Sequence, residues 1–310
     1  MRETLNIRNL CRRALAALVL VCASTACDSS KDATRKNGPP EVRRSAPKRV
    51  ITISPNATEM IVALGAGDRL VGVSDFCRLP AEFEDVPRVG GILDPNLERI
   101  LRLKPDLVIL RGKMAEVERL CEANGIPLYR DPTERFDDVF RTIGELGGLL
   151  GREKEASALV DATRGRIDRI TRAVAGRHRP RVLFTTERPV DTLARVTTSG
   201  RGTFVDEIIT RAGGENIFGK VDVAYPEVSL ESILIAAPEV IIEVMPGVAD
   251  PDGELRDRVI QQWKQLGSMP ATRIDRIHVF VDAELVIPSP RIADSIARLA
   301  ALLHPEVTLE

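Results

Sequence analysis

The chain contains few of the residues from which metal sites and catalytic centres are usually built. Its 310 residues include three histidines, two tyrosines, one tryptophan and five cysteines, and aromatic residues make up only 4%. No two histidines have the spacing of a zinc or manganese site. The motifs GxSxG, GxxxxGK(S/T) and HExxH do not occur, so nothing indicates a serine hydrolase, a P-loop nucleotidase or a zinc peptidase. The sequence therefore predicts a protein that is not an enzyme and holds no resident metal ion or cofactor.

The charge balance argues against a nucleic-acid partner. Lysine and arginine total 44 while aspartate and glutamate total 45, which gives a formal net charge of −1. The sequence has no basic cluster with interleaved aromatic residues. Hydrophobic residues make up 44% and charged residues 29%, which is typical of a packed protein. The length suffices for two lobes of ordinary domain size.

Residues 1–26 are typical of a lipoprotein signal peptide. Four arginines precede the apolar run ALAALVLVCASTA, which is shorter than the ~20 residues that a membrane-spanning helix needs. Small residues lead directly into Cys27, so we expect cleavage before Cys27 and a lipid on its thiol. Secretion with an unmodified Cys27 is the alternative. Residues 27–47 are polar and contain proline and glycine, and they are expected to form a flexible tether.

Export of this kind places the protein outside the cytoplasm, in the periplasm or on the outer face of the cytoplasmic membrane. Two cysteines, Cys77 and Cys121, then remain in the folded part. A disulfide is chemically permitted there, but two cysteines define no spacing pattern. A pair and two separate buried thiols both stay open.

Beyond the tether, short β-rich runs alternate with segments of helical spacing, which predicts parallel pairing of strands. The strand signal disappears after about residue 136, a long helix is predicted over 153–174, and the α/β alternation then resumes. We therefore predict an α/β fold of two lobes, each with a mainly parallel sheet flanked by helices, joined by one long linker helix. The predicted first lobe covers 48–150, the linker 151–176 and the second lobe 177–310.

Two local features add detail to this prediction. Asn56 and Glu59 have the spacing of a capping box, so a helix is expected to begin at Asn56. Gly147, Gly148 and Gly151 are expected to interrupt the helical region ahead of the linker.

A repeated segment is the strongest internal signal. The stretch NLERILRLKPDLVIL, residues 96–110, and the stretch SLESILIAAPEVIIE, residues 229–243, match position by position. Each has an N-cap residue, a carboxylate (Glu98 or Glu231), a short helix, a proline and a strand buried on both faces. The helix dipole alone favours a first-turn carboxylate by ~0.3–1 kcal/mol, but this does not explain why both lobes use the same residue.

Six motifs in order carry a resemblance to a known family. They are RVITISPNATEMIVALGAG, LVGVSDFC, VGGILDPNLERILRLKPDLVI, TSGRGTFVDEIITRAGGENIF, YPEVSLESIL and SPRIADSIARL. From residue 48 to residue 305 the chain resembles the helical-backbone (class III) substrate-binding proteins of ABC importers for cobalamin, ferric siderophores and haem. The resemblance implies a ligand cleft between the lobes and one docking glutamate per lobe. The matching positions are Glu98 and Glu231, whose docking partners are the two subunits of a permease dimer that works with ATPase subunits.

The cleft is expected at the carboxyl ends of the strands, where open α/β sheets bind ligands. The predicted ligand contacts are Ser54, Pro55, Asn56, Phe76, Arg111, Arg201, Tyr225 and Arg291. Rim packing is the alternative for the two aromatic residues, and solvated surface is the alternative for the three arginines.

Several arginines and few aromatic residues suit an anionic ligand such as a ferric siderophore or haem, and the resemblance adds cobalamin. The ligand stays open among these three. The alternatives to a monomeric, membrane-anchored binding protein are an exported α/β enzyme and a sensor or scaffold that keeps the fold without a ligand.

Overall fold

A computed structural model describes residues 45–245, 248, 250–282 and 284–308. Residues 45–310 form one compact unit. The predicted signal peptide, Cys27 and nearly all of the predicted tether lie outside the described residues. Within the described part of the chain, no helix has both the length and the apolar composition needed to cross a membrane.

The first lobe is a four-stranded parallel sheet in the order β2-β1-β3-β4 with helices around it. Its elements are β1 (Val50–Ile53), α1 (Pro55–Ala63), β2 (Leu70–Val73), α2 (Leu97–Arg102), β3 (Leu107–Arg111), α3 (Ala115–Ala123), β4 (Leu128–Asp131) and α4 (Phe136–Leu150). The two central strands are apolar and buried throughout, apart from Thr52 and the half-buried Arg111, as expected for a parallel sheet covered on both faces.

The second lobe follows a long helix and has a larger sheet. That helix is α5 (Glu153–Ala173). The elements of the second lobe are β5 (Arg181–Glu187), β6 (Val196–Thr198), α6 (Phe204–Arg211), β7 (Glu215–Asn216), β8 (Glu227–Val228), α7 (Leu230–Ala236), β9 (Val240–Val244), α8 (Glu254–Lys264), α9 (Pro270–Arg273), β10 (Ile277–Phe280) and α10 (Ile292–Leu303). The strand order is β10-β9-β5-β6-β8, and β7 pairs with β5. Strands β5, β7, β9 and β10 pair in parallel, whereas β6 and β8 are antiparallel. The predicted α/β fold with two mainly parallel sheets is confirmed.

Two local predictions are wrong. Helix α1 begins at Pro55, and its N-cap is Ser54, whose hydroxyl accepts from the amide of Ala57. The expected capping box of Asn56 and Glu59 therefore does not form, because proline at the first helical position suits a helix start one residue earlier.

The expected break at Gly147 and Gly148 is absent as well. Both lie inside α4, which ends at Gly151 with a left-handed backbone (φ 63°). A Cβ on Gly147 would lie 2.4 Å from the Cβ of Ala156 on α5. The glycine is therefore required because helices α4 and α5 pack closely at this point, not because the helix ends.

One apolar cluster runs through both lobes and the helix between them. It includes Val50 and Ile109 of the first sheet, Phe140 of α4, Ile167 of α5, Phe184 of the second sheet and Leu299 of α10. Helix α5 packs against α4 on one side and α10 on the other. The lobes are therefore joined by a shared core as well as by the chain.

The second lobe also contains a buried ion pair. Glu243 is the next-to-last residue of β9, and its carboxylate is 2.6 Å from Nε of Arg188. The other carboxylate oxygen accepts a hydrogen bond from the indole N–H of Trp263 at 2.5 Å. The remaining guanidinium N–H groups of Arg188 donate to Gln262 and to three carbonyl groups of the following loop. This cluster fixes the long connection between β5 and β6.

Candidate functional site

The carboxyl ends of β1 and β4 share a buried network of polar side chains. One carboxylate oxygen of Asp131 accepts hydrogen bonds from the hydroxyl of Ser54 at 2.7 Å and from the amide of Asn56 at 2.5 Å. The other oxygen accepts from the backbone and hydroxyl of Thr133. Ser54 and Asn56 are fully or almost fully buried, and Pro55 is half-buried. The three predicted contacts therefore form the support of a cleft floor, and their direct role in ligand binding stays a prediction.

Arg111 ends β3 beside this network. Its Nη1 lies 3.5 Å from Oδ1 of Asn56, which is the long limit of a hydrogen bond. The residue is half-buried. Among the described residues, no carboxylate lies within ion-pair distance of Arg111, whereas Arg201 and Arg291 each have a carboxylate partner. Of the three predicted arginines, Arg111 is the one whose guanidinium group has no carboxylate partner among the described residues.

Tyr225 of the second lobe lies near charged side chains of the first lobe. Burial raises the pKa of the Tyr225 phenol, the charge of Arg111 acts to lower it, and the charge of Glu134 acts to raise it. Charges of the first lobe act on a side chain of the second, so the phenol lies close to both. About half of the Tyr225 side chain is exposed, at 51%. Tyr225 of the second lobe therefore lies near Arg111 and Glu134 of the first, where the two lobes approach each other.

Exposed apolar side chains form part of the rim. Phe76 is 62% exposed, and its ring lies against the loop around Gly91. Leu93 in the same loop is 97% exposed, and Val223 of the second lobe is 58% exposed beside Tyr225. Leu93 and Val223 were not predicted as site residues. An exposed apolar side chain is one of the few surfaces on which an apolar ligand face can rest.

Arg201 lies in a loop that packs next to Tyr225. The amide of Gly200 donates to the carbonyl of Ala224 at 2.8 Å. Any side chain at position 200 would clash with the backbone of Val223, so this approach requires glycine. The guanidinium of Arg201 pairs with Asp222 at 2.9 Å, and both side chains are largely exposed. An exposed pair of this kind is worth only ~0.2–1 kcal/mol, so Arg201 can exchange its partner for a ligand.

Arg291 is held by other side chains. Its Nε and Nη2 donate to the two carboxylate oxygens of Glu59, at 3.1 and 2.6 Å, and its Nη1 lies 3.1 Å from Glu284. The hydrogen bond to Glu59 is the main reason that the pKa of Arg291 is raised. Glu59, expected to cap a helix, instead binds this arginine of the other lobe. A ligand contact by Arg291 stays a prediction, and it requires this arrangement to open.

The two cysteines of the folded part are free thiols. Cys77 and Cys121 are both buried and are not bonded to each other. Burial raises the pKa of both thiols, so neither is a reactive thiolate at neutral pH. In the described residues, no group of three or more histidine, cysteine, aspartate or glutamate side chains is arranged to hold a metal ion.

The repeated segment has the same geometry in both lobes. Asn96 and Ser229 cap α2 and α7 through their side chains, as predicted. Each helix is followed by a non-glycine residue with positive φ, Lys104 at 47° and Ala237 at 43°. A proline comes next, and the proline leads into a strand. The sequence repeat is therefore also a structural repeat, which includes the positive φ of the residue before each proline.

The acid after each proline ties the turn to the neighbouring strand. Asp106 accepts hydrogen bonds from the amides of Lys48 and Arg49, both at 2.8 Å. Glu239 accepts from the amide of Arg181 at 2.9 Å and contacts His178 at 2.9 Å. Burial acts to raise the pKa of Glu239, but these two hydrogen bonds lower it overall. The turns after α2 and α7 are thus anchored to the starts of β1 and β5.

The glutamates of the two helices differ in their surroundings. Glu98 is exposed and pairs with Arg102 at 3.0 Å. Glu231 is exposed too, but the equivalent position, four residues later, is Ile235, which is 76% exposed. One helix presents a carboxylate paired with a cation, and the other a carboxylate beside an apolar side chain. Docking through either residue stays a prediction.

Two α/β lobes with a long helix and a shared apolar core between them are the architecture of a binding protein of the helical-backbone type. Residues 50–281 match the family model described as periplasmic binding protein. The chain belongs to this family, and its place is outside the cytoplasm.

Individual relatives agree with this assignment. The chain is 27% identical over 260 residues to the vitamin B12-binding protein of Vibrio cholerae, covering 83% of this chain and 89% of the relative. The apo periplasmic heme-binding protein RhuT from Roseiflexus sp. RS-1 superimposes with a TM-score of 0.70 at 26% identity, over 83% of this chain and 98% of that one. An ABC-type Fe3+-hydroxamate transport system protein from Saccharomonospora viridis gives 0.68 at 25%, over 83% and 93%.

Proposed function

We propose that this protein captures a ferric siderophore, haem or cobalamin in the cleft and delivers it to an ABC importer. The observation that carries the proposal is that Arg111, at the carboxyl end of β3, has no carboxylate partner among the described residues, while the half-exposed Tyr225 of the second lobe lies near it. An aromatic ring can stack on a flat ligand, while an arginine without a carboxylate partner can pair with an acidic group. The relatives named above are described as binding vitamin B12 or heme, or as part of Fe3+-hydroxamate transport, which supports this range of ligands.

The apolar rim supports a large ligand with an apolar face. Phe76, Leu93 and Val223 expose carbon surface at the mouth of the cleft, and such surface is stabilised when a ligand covers it, by ~25 cal/mol per Å². Capture needs no chemical step, so the protein acts as a carrier and not as an enzyme. Because the lobes share one apolar core, closure around the ligand is small.

Delivery uses the two repeated helices. Glu98 and Glu231 dock into basic pockets on the two permease subunits, and the ATPase subunits of the importer supply the energy. Carboxylate–guanidinium contacts are strong and directional, and the second contact is effectively intramolecular once the first has formed. Exposure of both glutamates and the side-chain N-caps that their helices share support this role.

The N-terminal segments fit the same scheme. Residues 1–26 direct export, Cys27 carries the lipid that anchors the protein to the membrane, and residues 27–47 tether a monomeric body near the importer. The experiment for this part is mass spectrometry of the membrane-extracted protein, with Cys27→Ser as the control. An unlipidated Cys27 in a protein that is freely secreted would contradict the anchor.

Ligand binding is tested by a thermal-shift and calorimetry panel of cobalamin, haem, a ferric hydroxamate and a ferric catecholate. A ligand present at 100 times its Kd stabilises the protein by ~2.7 kcal/mol. Tyr225→Ala and Arg111→Gln are expected to weaken the binding found. Tyr129→Phe is the matched control for the tyrosine, because its hydroxyl bonds Glu145 within the first lobe.

Arg119→Gln is the matched control for Arg111, because Arg119 lies exposed on α3 and donates only to its own helix. Saturable binding with the ligand recovered unchanged supports a carrier. Conversion of a ligand during the titration, or no binding by any of the four, contradicts the proposal. Equal effects of the cleft variants and their controls contradict the assigned contacts.

A further inference from the structure

Six charged side chains form a chain of ion pairs across the boundary between the lobes. Glu59 and Arg78 come from the first lobe. Arg291, Glu284, Arg298 and Asp282 come from the second. Two links cross the boundary: the bidentate pair of Glu59 and Arg291, and a looser contact of 3.7 Å between Arg78 and Glu284. The contacts of Arg298 with Glu284 and Asp282, and with the ring of Phe280, stay within the second lobe.

The bidentate pair lies one helical turn along α1 from the polar network around Asp131. Pro55 and Glu59 are four residues apart on α1, and Val62 and Ala63 are one turn further, so all four occupy one face of the helix. Pro55 adjoins the network at the cleft floor. Val62 and Ala63 line a pocket of about 360 Å³ together with residues of both lobes, and the pair forms part of its wall. The ion pair therefore lines a pocket to which both lobes contribute side chains.

The contact between Glu59 and Arg291 can fix the distance between α1 and the start of α10. The side chain of Glu59 is only 12% exposed, whereas that of Arg291 is 42% exposed. Both carboxylate oxygens of Glu59 are used, and the planar guanidinium fixes the angle as well as the separation. Helices α1 and α10 belong to different lobes, and 232 positions separate the two residues. The contact therefore depends on the relative position of the two lobes and not on the local structure of one helix.

We propose that Glu59 and Arg291 form a latch between the lobes that sets the width of the cleft before any ligand arrives. The pair holds α1 against the start of α10, and the closeness of Arg111 and Tyr225 depends on that spacing. If part of the population has the lobes too far apart to bind, the apparent affinity for the ligand falls by that fraction. A contact that keeps the lobes at the binding-competent spacing avoids this loss. Arg291 is therefore a positioning residue. This inference goes beyond carriage of any particular ligand, because it concerns the spacing of the lobes alone.

The test measures lobe spacing without a ligand. Spin labels are placed at Glu116→Cys and Lys220→Cys, which are exposed positions on the two lobes, in protein carrying Cys11→Ser, Cys22→Ser and Cys27→Ser. The two remaining cysteines are buried and are not expected to label. Double electron–electron resonance gives the distance distribution, and hydrogen exchange of the first turns of α1 and α10 gives the opening equilibrium.

With the latch intact, one narrow distance distribution is expected. Glu59→Gln and Arg291→Gln are each expected to broaden it toward longer distances. Amide exchange at the two helix starts should rise about tenfold, because a charge-assisted contact has been replaced by a neutral one or lost. The double variant Glu59→Gln/Arg291→Gln leaves no unpaired charge, so it also covers the case in which Arg291→Gln does not fold. It should be no broader than the single variants, as expected for partners in one contact.

Arg298→Gln is the matched control, since it removes an arginine of the same network that contacts only its own lobe. It is expected to keep the narrow distribution. A wild-type distribution in both folded single variants overturns the latch. Equal broadening by Arg298→Gln overturns it too, because the network would then stabilise the second lobe in general. A docking or ligand-binding experiment can fail without affecting this result.

Discussion

Replacing Ala237 by glycine is expected to stabilise the protein. Ala237 follows α7 with φ 43° and ψ 65°, and its amide donates to the carbonyls of Ile233 and Leu234. The left-handed conformation costs a residue with a Cβ about 1–2 kcal/mol, and glycine removes this cost. Glycine also gives the unfolded chain more freedom, which offsets about 0.5–1 kcal/mol. The net gain is about 0.5–1 kcal/mol, or roughly 1–3 °C in Tm for a unit of this size.

The equivalent residue of the first lobe extends the prediction. Lys104 has φ 47° in the same turn, so Lys104→Gly is expected to have a similar effect, and the two gains should add because the sites are independent. Differential scanning calorimetry and urea unfolding measure both. The control is Ala236→Gly, one residue earlier inside α7, which should cost up to ~1 kcal/mol. If Ala237→Gly lowers the Tm as Ala236→Gly does, the strain argument is refuted.

Three further predictions concern charged residues. The double variant Glu98→Arg/Glu231→Arg should abolish ligand uptake by cells while ligand affinity stays unchanged in a titration; undiminished uptake would exclude docking through these residues. Glu243→Gln should lose about 3 kcal/mol of stability in urea unfolding, because it leaves a fully buried arginine without its counter-charge; a loss below about 1 kcal/mol would contradict this. The lowered pKa of Glu239 means that its stabilising effect is present above about pH 4.5 and is lost as the pH falls through the folded pKa. The stability difference between wild type and Glu239→Gln should therefore shrink in urea unfolding below pH 4.5, and a constant difference would refute the assignment.

The strand and helix pattern could be predicted because it depends on local sequence. Buried parallel strands are short apolar runs, and the prolines after α2 and α7 mark where each helix must end. The N-caps at Asn96 and Ser229 were equally local. The error at Gly147 arose because a helix interior accepts glycine when another helix packs against it, and the position of α5 is a property of the tertiary fold.

The partners of the site residues could not be predicted in the same way. Asp131 holds Ser54 and Asn56 from 77 and 75 positions away, and an acid after a strand was the only available signal. Arg291 carries the same charge as Arg111 in the sequence, and only the fold shows that one binds Glu59 while the other does not. The exposure of Leu93 could not be predicted either, because the sequence does not show whether an apolar residue in a loop is buried by other parts of the fold.

The apolar cluster shared by both lobes and α5 has a consequence for how the molecule folds. In each lobe, some buried apolar side chains pack in one cluster with residues of α5 and of the other lobe. Neither lobe expressed alone would therefore have a complete apolar interior. Cooperative unfolding in a single calorimetric transition follows from this arrangement, with no stable half-folded intermediate. A first lobe that emerges during export therefore lacks part of its apolar interior until α5 and α6 have followed it.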